Sequence, residues 1–387
     1  MCWLRYLFYT NECVGLGHLR RALHLARAVT ERDPSASALI VSGSPLASDY
    51  VLPPRVDVVT LPLLTRDADG EHQPRRLAVS GERLHELRSA LAAAAAATFA
   101  PDVAVVDKAP LGLRGELIPA LDQLQDAGTR LVLGLRDIDD APDRVGRAWA
   151  GLRDQVEDRY DAILVYGPPA GHDALACLGW DDLAVPVHHV GYVGRTPAAA
   201  PRPGSGSPYV LVTVGGGTDG ADLLLTYLAA LRIAPVPLRS LLVTGPLMPD
   251  AEVAAVQTAA AGLDVEVSTF HADFEAMIAG ARAVVAMAGY NTVSEIVQAA
   301  KPALLVPRAR PSAEQLLRAE HLTAAGRARM LHPDRLNGPA LRQALDDLLL
   351  RGPLRKMPPA PSGANGAAEI LAALAGGADR DGIEVAV

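Results

Sequence analysis

The side chains best suited to chemistry in this chain stand where apolar runs end. In TNECVGLGHLRR (10–21) a β-like run gives way to Gly15, Gly17 and His18, and a helical pattern follows. Glycines there let a ligand approach the backbone, and amides at a helix start favour anions. His18 stands at the carboxyl end of the run, where an imidazole can serve as a general base. On spacing alone, a polar cap with a surface histidine has equal weight. In VAVVDKAPLGLRGE (103–116), Asp107 and Lys108 follow another apolar run. Asp107 could orient His18 as the carboxylate of a triad does, and an Asx turn explains it as well.

Three further stretches carry polar groups at similar places. VLVTVGGGTDGADLL (210–224) presents Gly215, Gly216, Gly217 and Thr218 between a strand and a helix, as a phosphate loop or a tight turn. In AVVAMAGYNTVSEI (283–296), Thr292 and Glu295 match the spacing of a capping box, which is the favoured reading of those residues alone. In LLVPRARPSAEQLLRAEHL (304–322), Glu314 and Gln315 open a helix; they suit sugar hydroxyls and are also ordinary helix-start residues.

Short β-rich runs position these groups: 5–10, 37–43, 57–62, 102–108, 130–136, 162–167 and 187–193. They alternate with helical patterns, the clearest being HLRRALHLARAVTERD. Its apolar stripe is Leu19, Leu23, Ala26 and Val29, with Arg20, Arg21 and Arg27 largely off it. After RTPAAAPRPGSGSP (195–208), rich in Pro, Gly and Ser, the alternation restarts at 208–217, 239–246, 263–270, 281–288 and 302–307. The pattern predicts an α/β class with two doubly wound parallel sheets. Expected boundaries are an N-terminal Rossmann-like domain at 1–196, a linker at 197–207 and a second such domain at 208–352. A crossing segment, a short helix near 367–375 and a tail complete it at 353–387. Ligands are expected beyond the strands' carboxyl ends, in a cleft between the halves.

A length of 387 residues allows roughly two or three domains, and the scarcity of aromatics requires an aliphatic core. A net charge of −8 argues against nucleic acid as partner. Cys2, Cys13 and Cys177 form neither a disulfide framework nor a zinc pattern. The N-terminal run reads as a first strand and not a signal peptide, and the alanine run near 91–97 is too short to span a membrane. A cytoplasmic protein is expected.

The block FHADFEAMIAGARAVVAMAGYNTVSEIVQAAKPALLVPRARPSAEQLLRAEHL (270–322) resembles the donor-site region of inverting GT-B glycosyltransferases. Within them it is most similar to the family that makes lipid II by N-acetylglucosaminyl transfer, together with the predicted glycosyltransferases related to it. The G-x-G-H and GGG stretches fit the same family, whereas 57–195 resembles it only in general plan.

The resemblance implies the GT-B fold and sugar transfer from a nucleotide-sugar, a UDP-sugar as co-substrate with no further cofactor and no metal, to a hydroxyl of a small-molecule acceptor. His18 would be the general base, steadied by Asp107, with Gly15, Gly17 and Lys108 on the acceptor side. Glu295 matches the acid that binds the donor ribose, and Glu314 with Gln315 the pair that contacts the transferred sugar. Gly289, Tyr290, Asn291 and Thr292 would face the diphosphate with Gly215 to Thr218, and the His271 main chain would meet the uracil. Arg195, Arg308 and Arg310 are all candidates for the basic residue near the diphosphate. The membrane-facing patch of the lipid II enzyme is not evident. A sugar-nucleotide epimerase and a silent nucleotide-sugar-binding partner protein are the rival readings.

Overall fold

The structure, a computed structural model, describes residues 3–10, 17–44, 47, 50–67, 72–169, 174–180, 182–194, 208–271, 273–351 and 362–377. Gly15, Arg195 and the expected 197–207 linker lie outside them. The chain divides into two compact units. The first comprises Met1–Asp137, Pro142–Val193 and Ser362–Val387, and the second Ile138–Ala141 and Gly194–Pro361.

In the first unit β1 (Arg5–Thr10), β2 (Ser37–Ser42) and β3 (Val56–Thr60) precede a short antiparallel hairpin, β4 (Leu64–Arg66) with β5 (His72–Pro74). β6 (Val103–Asp107), β7 (Arg130–Arg136), β8 (Ala162–Tyr166) and β9 (Val187–His189) follow. Seven strands pair in parallel in the order β3-β2-β1-β6-β7-β8-β9. The central strands are buried on both faces and therefore read as unbroken apolar runs, not as alternations. The connecting helices are α1 (Gly17–Arg32), α2 (Gly81–Phe99), α3 (Ile118–Asp126), α4 (Pro142–Ala148), α5 (Arg153–Arg159) and α6 (Ala174–Leu178). The stripe Leu19, Leu23, Ala26 and Val29 of α1 is buried, as its spacing predicts.

The hairpin takes up the flanks of the stretch 65–76, which has no strand periodicity. Only three residue pairs form it, too few for an alternation to show.

The second unit contains β10 (Tyr209–Thr213), α7 (Ala221–Ile233), β11 (Arg239–Val243), α8 (Asp250–Ala260), β12 (Val265–Ser268), α9 (Phe274–Gly280), β13 (Ala283–Ala286), α10 (Tyr290–Gln298), β14 (Ala303–Leu305), α11 (Glu314–Ala324), β15 (Arg329–Met330) and α12 (Gly338–Arg351). Its six strands are parallel in the order β12-β11-β10-β13-β14-β15. β15, two residues long, is a strand that periodicity does not reveal.

The last helix, α13 (Gly363–Ala375), packs against α1 in the first unit. It starts before the expected 367, at Gly363, whose amide donates to the Tyr192 carbonyl at 3.0 Å. A Cβ at Gly363 would stand 2.5 Å from the Gly191 oxygen, so only glycine permits this approach.

Both cores are aliphatic, built from Val, Leu and Ala between sheet and helices. The first also holds Trp149 edge-on to Trp180, with ring centroids 5.6 Å apart. A buried ion pair crosses it as well. Arg88 of α2 donates to both Glu116 oxygens at 2.7 Å and to the Pro62 carbonyl at 2.7 Å, and the Tyr9 hydroxyl donates to the same carboxylate. Burial beside that carboxylate raises the Tyr9 hydroxyl well above its ordinary value.

Candidate functional site

In each sheet the order reverses direction beside the unit's first strand. β1 lies between β2 and β6, and β10 between β11 and β13. Crevices at the carboxyl ends of such strands are the usual ligand sites of doubly wound sheets. In the first unit the register brings Thr10 level with Ser42 and Asp107, and Asp107 level with Gly134. The Thr10 hydroxyl donates to Ser42 Oγ at 2.8 Å, so a polar layer caps the apolar strands.

Asp107 ends β6, and His18 is in the first turn of α1. His18 Nδ1 lies 2.8 Å from Asp107 Oδ2. Arg21 Nη2 donates to Asp107 Oδ1 at 2.8 Å and Oδ2 at 2.6 Å, and stands 3.0 Å from His18 Nδ1. The Arg21 and Asp107 side chains are buried, while 18% of the His18 side chain stays accessible. The Arg21 guanidinium carbon sits 4.9 Å from the centroid of the Tyr166 ring. Tyr166 reaches this place because residue 134 is glycine; a Cβ there would collide with its hydroxyl.

Burial alone would raise the Asp107 carboxyl, but Arg21 and His18 outweigh it and hold it at about 2. Burial lowers His18, Asp107 pulls it up, and Arg21 with Arg136 adds to the lowering; the result lies below 6.5. Near neutral pH the imidazole is uncharged. An ionised carboxylate can only accept, so the 2.8 Å contact favours the histidine proton on Nδ1, whereas the guanidinium at 3.0 Å can only donate and favours a bare Nδ1. With the proton on Nδ1, Nε2 would carry the lone pair of a base.

Arg21 corrects the expectation from the apolar stripe, which set it largely outside the packed face. It is 1% exposed because the start of α1 meets the polar strand ends, where a cation is neutralised by Asp107. The i, i+3 spacing of His18 and Arg21 in GHLRR is the signal that would have found it. Lys108 turns the chain after Asp107 with φ +70, its amide bonded to the Gly134 carbonyl at 2.8 Å. Gly17 opens α1, and Gly15 lies outside the described residues.

In the second unit the loops after β10 and β11 interlock. Gly217 has φ +87, and a Cβ there would collide with the Thr244 carbonyl and stand 3.0 Å from that of Gly245. Gly215 also has positive φ, and Leu247 donates to the Gly216 carbonyl at 2.9 Å. Gly217 therefore serves loop packing. Gly289 differs, because it has an ordinary φ of −65 and a Cβ there would meet nothing within 4 Å. Neither strain nor crowding requires glycine at that helix start.

Gly289 caps α10, and no side chain caps it. Thr292 is therefore the third helical residue and Glu295 lies in the second turn. The capping box expected of Thr292 and Glu295 is not formed, because the helix begins three residues too early for it. Glu295 is buried, 3% exposed. The peptide before Gly289 is fixed from α11, where buried Arg318 donates to the Ala288 carbonyl at 3.0 Å and lies 5.6 Å from the Tyr290 ring centroid.

Glu314 and Gln315 open α11, as their spacing predicts, and both are buried. Arg308 links them to the glycine loop. Its amide donates to Gln315 Oε1 at 3.3 Å, its Nη1 to Asp219 Oδ2 at 2.8 Å, and its Nη2 lies 3.9 Å from Glu314 Oε1. Of the three candidate arginines, Arg308 is the one tied to both groups; Arg195 lies outside the described residues. His271 is exposed between β12 and α9, and Thr218 is exposed in the glycine loop. Arg318 and Asp219 escaped sequence reasoning because neither stands in a pattern that signals a ligand.

Residues 210–373 match the family model of the glycosyltransferase family 28 C-terminal domain. Over 166 residues the chain is 35% identical to the UDP-N-acetylglucosamine–N-acetylmuramyl-(pentapeptide) pyrophosphoryl-undecaprenol N-acetylglucosamine transferase of Sinorhizobium fredii, covering 41% of this chain and 43% of that protein. The chain thus spans less than half the length of this curated relative. Among solved structures, MurG of Acinetobacter baumannii is similar with a TM-score of 0.59 at 16% identity, covering 95% of this chain and 99% of that one. The calicheamicin glycosyltransferase CalG4 is similar with a TM-score of 0.58 at 17% identity, covering 98% and 96%. These two likenesses show a shared fold. The chain has the GT-B fold and is related to MurG-like transferases.

Proposed function

We propose that this GT-B protein transfers a sugar from a nucleotide-sugar, a UDP-sugar in particular, to a hydroxyl of a small-molecule acceptor with inversion. The observation that carries the reading is the arrangement around Gly289. An open-sided glycine starts a helix, a buried acid follows in that helix, and a buried Glu-Gln pair opens the next one. The α10 amides and dipole would meet the diphosphate, Glu295 the ribose hydroxyls, and Glu314 with Gln315 the sugar. Arg308 would add positive charge beside the glycine loop.

In the transfer step, His18 Nε2 takes the proton of the acceptor hydroxyl as its oxygen attacks the anomeric carbon. The bond from that carbon to the diphosphate oxygen breaks, and UDP leaves with the electron pair. Asp107 holds the imidazole and offsets the charge it gains. Helix amides and Arg308 stabilise the departing diphosphate, and no metal ion enters this scheme. Gly17 and Lys108 would border the acceptor. A UDP-bearing donor is supported by the Sinorhizobium fredii relative, whose name specifies UDP-N-acetylglucosamine; that compound is the first to test.

A thermal-shift screen of the full chain against UDP-, dTDP- and GDP-sugars tests the donor assignment, since a ligand of the native state raises the unfolding temperature by mass action. UDP compounds are expected to give the largest shift, and no shift with any of them would contradict it. Release of isomerised UDP-sugar without acceptor would instead mark an epimerase.

A further inference from the structure

We propose that Arg21 is a positioning residue, holding Asp107 and His18 in one orientation. The proposal rests on His18 acting as the base of sugar transfer. Arg21 makes no contact with sugar or acceptor in this scheme, and it acts through Asp107.

The geometry is specific. One Arg21 nitrogen reaches both oxygens of Asp107, at 2.8 and 2.6 Å, and stands 3.0 Å from His18 Nδ1. A carboxylate bonded to both groups cannot rotate away from the imidazole. The cation beside Nδ1 also disfavours a second positive charge on the ring, so the histidine stays neutral and ready to accept. Arg21 itself is held from below by the Tyr166 ring at 4.9 Å, which the missing Cβ of Gly134 allows. A lysine would keep the charge but lose the planar group that packs on the ring.

Among the described residues, the charged and titratable groups around His18 come from four elements. They are Arg21 on its own helix, Asp107 on β6, Arg136 on β7 and, beneath Arg21, Tyr166 on β8. Of these, Asp107 favours the imidazolium, and Arg21 and Arg136 oppose it. Removing Arg21 leaves the buried carboxylate facing His18 with less opposition.

The test is an NMR titration of ¹⁵N-labelled histidine in the full chain, for the unaltered protein, Arg21→Gln and Arg21→Lys. It needs neither donor nor acceptor, so its outcome is independent of whether sugar transfer is the right activity. The unaltered protein should show His18 below its ordinary value. Arg21→Gln should move the midpoint up, and Arg21→Lys should hold it near its starting place. An unchanged midpoint in Arg21→Gln overturns the proposal, since a guanidinium that only fills space would leave it in place. Should Arg21→Gln fail to fold, the unaltered protein decides: a midpoint above 6.5 means Asp107 acts unopposed and overturns it. A midpoint below that supports it. Once an acceptor is known, the acid limb of kcat/KM should move with the titration.

Discussion

His18 Nδ1 and Asp107 Oδ2 lie 2.8 Å apart although 89 positions separate them in sequence. The contact exists because β1 and β6 are neighbours at the place where the sheet reverses direction, so the end of β6 delivers the carboxylate to the first turn of α1, the helix that follows β1. A histidine in a glycine turn is ambiguous; one held by a buried, ionised carboxylate can act as a base through Nε2.

The first prediction concerns that pair. His18→Ala should lower kcat for transfer by about 10²- to 10⁴-fold, the usual contribution of general-base catalysis. Asp107→Asn should also lower it, because an amide can stabilise the other tautomer and place the proton on Nε2. Donor affinity, measured by calorimetry, should change little in either variant, since the donor groups are assigned to the second unit.

pH gives a second. The folded pKa of His18 is lowered, so the acid limb of kcat/KM should fall below pH 6.5. The unfolded chain protonates this histidine first, and stability therefore declines as pH drops below 6.5. For Asp107 the folded value is about 2 against 3.8, so its stabilisation is complete above 3.8 and is lost as pH falls toward 2. That loss is of order 2 kcal/mol. Urea midpoints taken from pH 8 to about pH 2 would show both declines.

The glycines of the second unit separate packing from binding. Gly217→Ala places a methyl against the Thr244 carbonyl at a positive φ and should destabilise by about 1–3 kcal/mol. Gly289→Ala meets open space and an ordinary φ, so its stability should change by only a few tenths of a kcal/mol to about 1. UDP affinity should nevertheless fall, because the methyl occupies the approach to the α10 amides. Melting curves and UDP titrations on both variants distinguish the two glycines.

The buried Arg88–Glu116 pair gives a stability prediction with no bearing on activity assays. Glu116→Ala strands a guanidinium in the core and should cost about 3–5 kcal/mol in chemical unfolding. Replacing both partners with Met and Leu should recover much of that, since an apolar pair of similar volume avoids the desolvation cost.

Much of this organisation was legible in the residues. Parallel strands buried on both faces announce themselves as apolar runs, and the strands from β1 to β14, other than the hairpin and the first residue of β3, Val56, fall within runs read that way. What stayed hidden depends on which distant elements meet. The Thr292–Glu295 spacing suits a capping box, yet α10 starts at Tyr290 because the chain leaves β13 with Gly289 already extended. Arg21 looked solvent-facing from its helix alone and is buried because Asp107 arrives from another strand. Arg318 fixes the Ala288 carbonyl from 30 residues away, a tie that no local pattern records.

The central claim is that Glu295 and the start of α10 bind the nucleotide of a sugar donor. Isothermal calorimetry of UDP and 2′-deoxy-UDP with the full chain, unaltered and as Glu295→Gln, tests it most directly. UDP should bind with the higher affinity. Glu295→Gln should weaken UDP by about ten- to a hundredfold, the worth of hydrogen bonds to a charged group, and abolish the preference over the deoxy compound. No binding of UDP, or binding that Glu295→Gln leaves unchanged, would contradict the assignment.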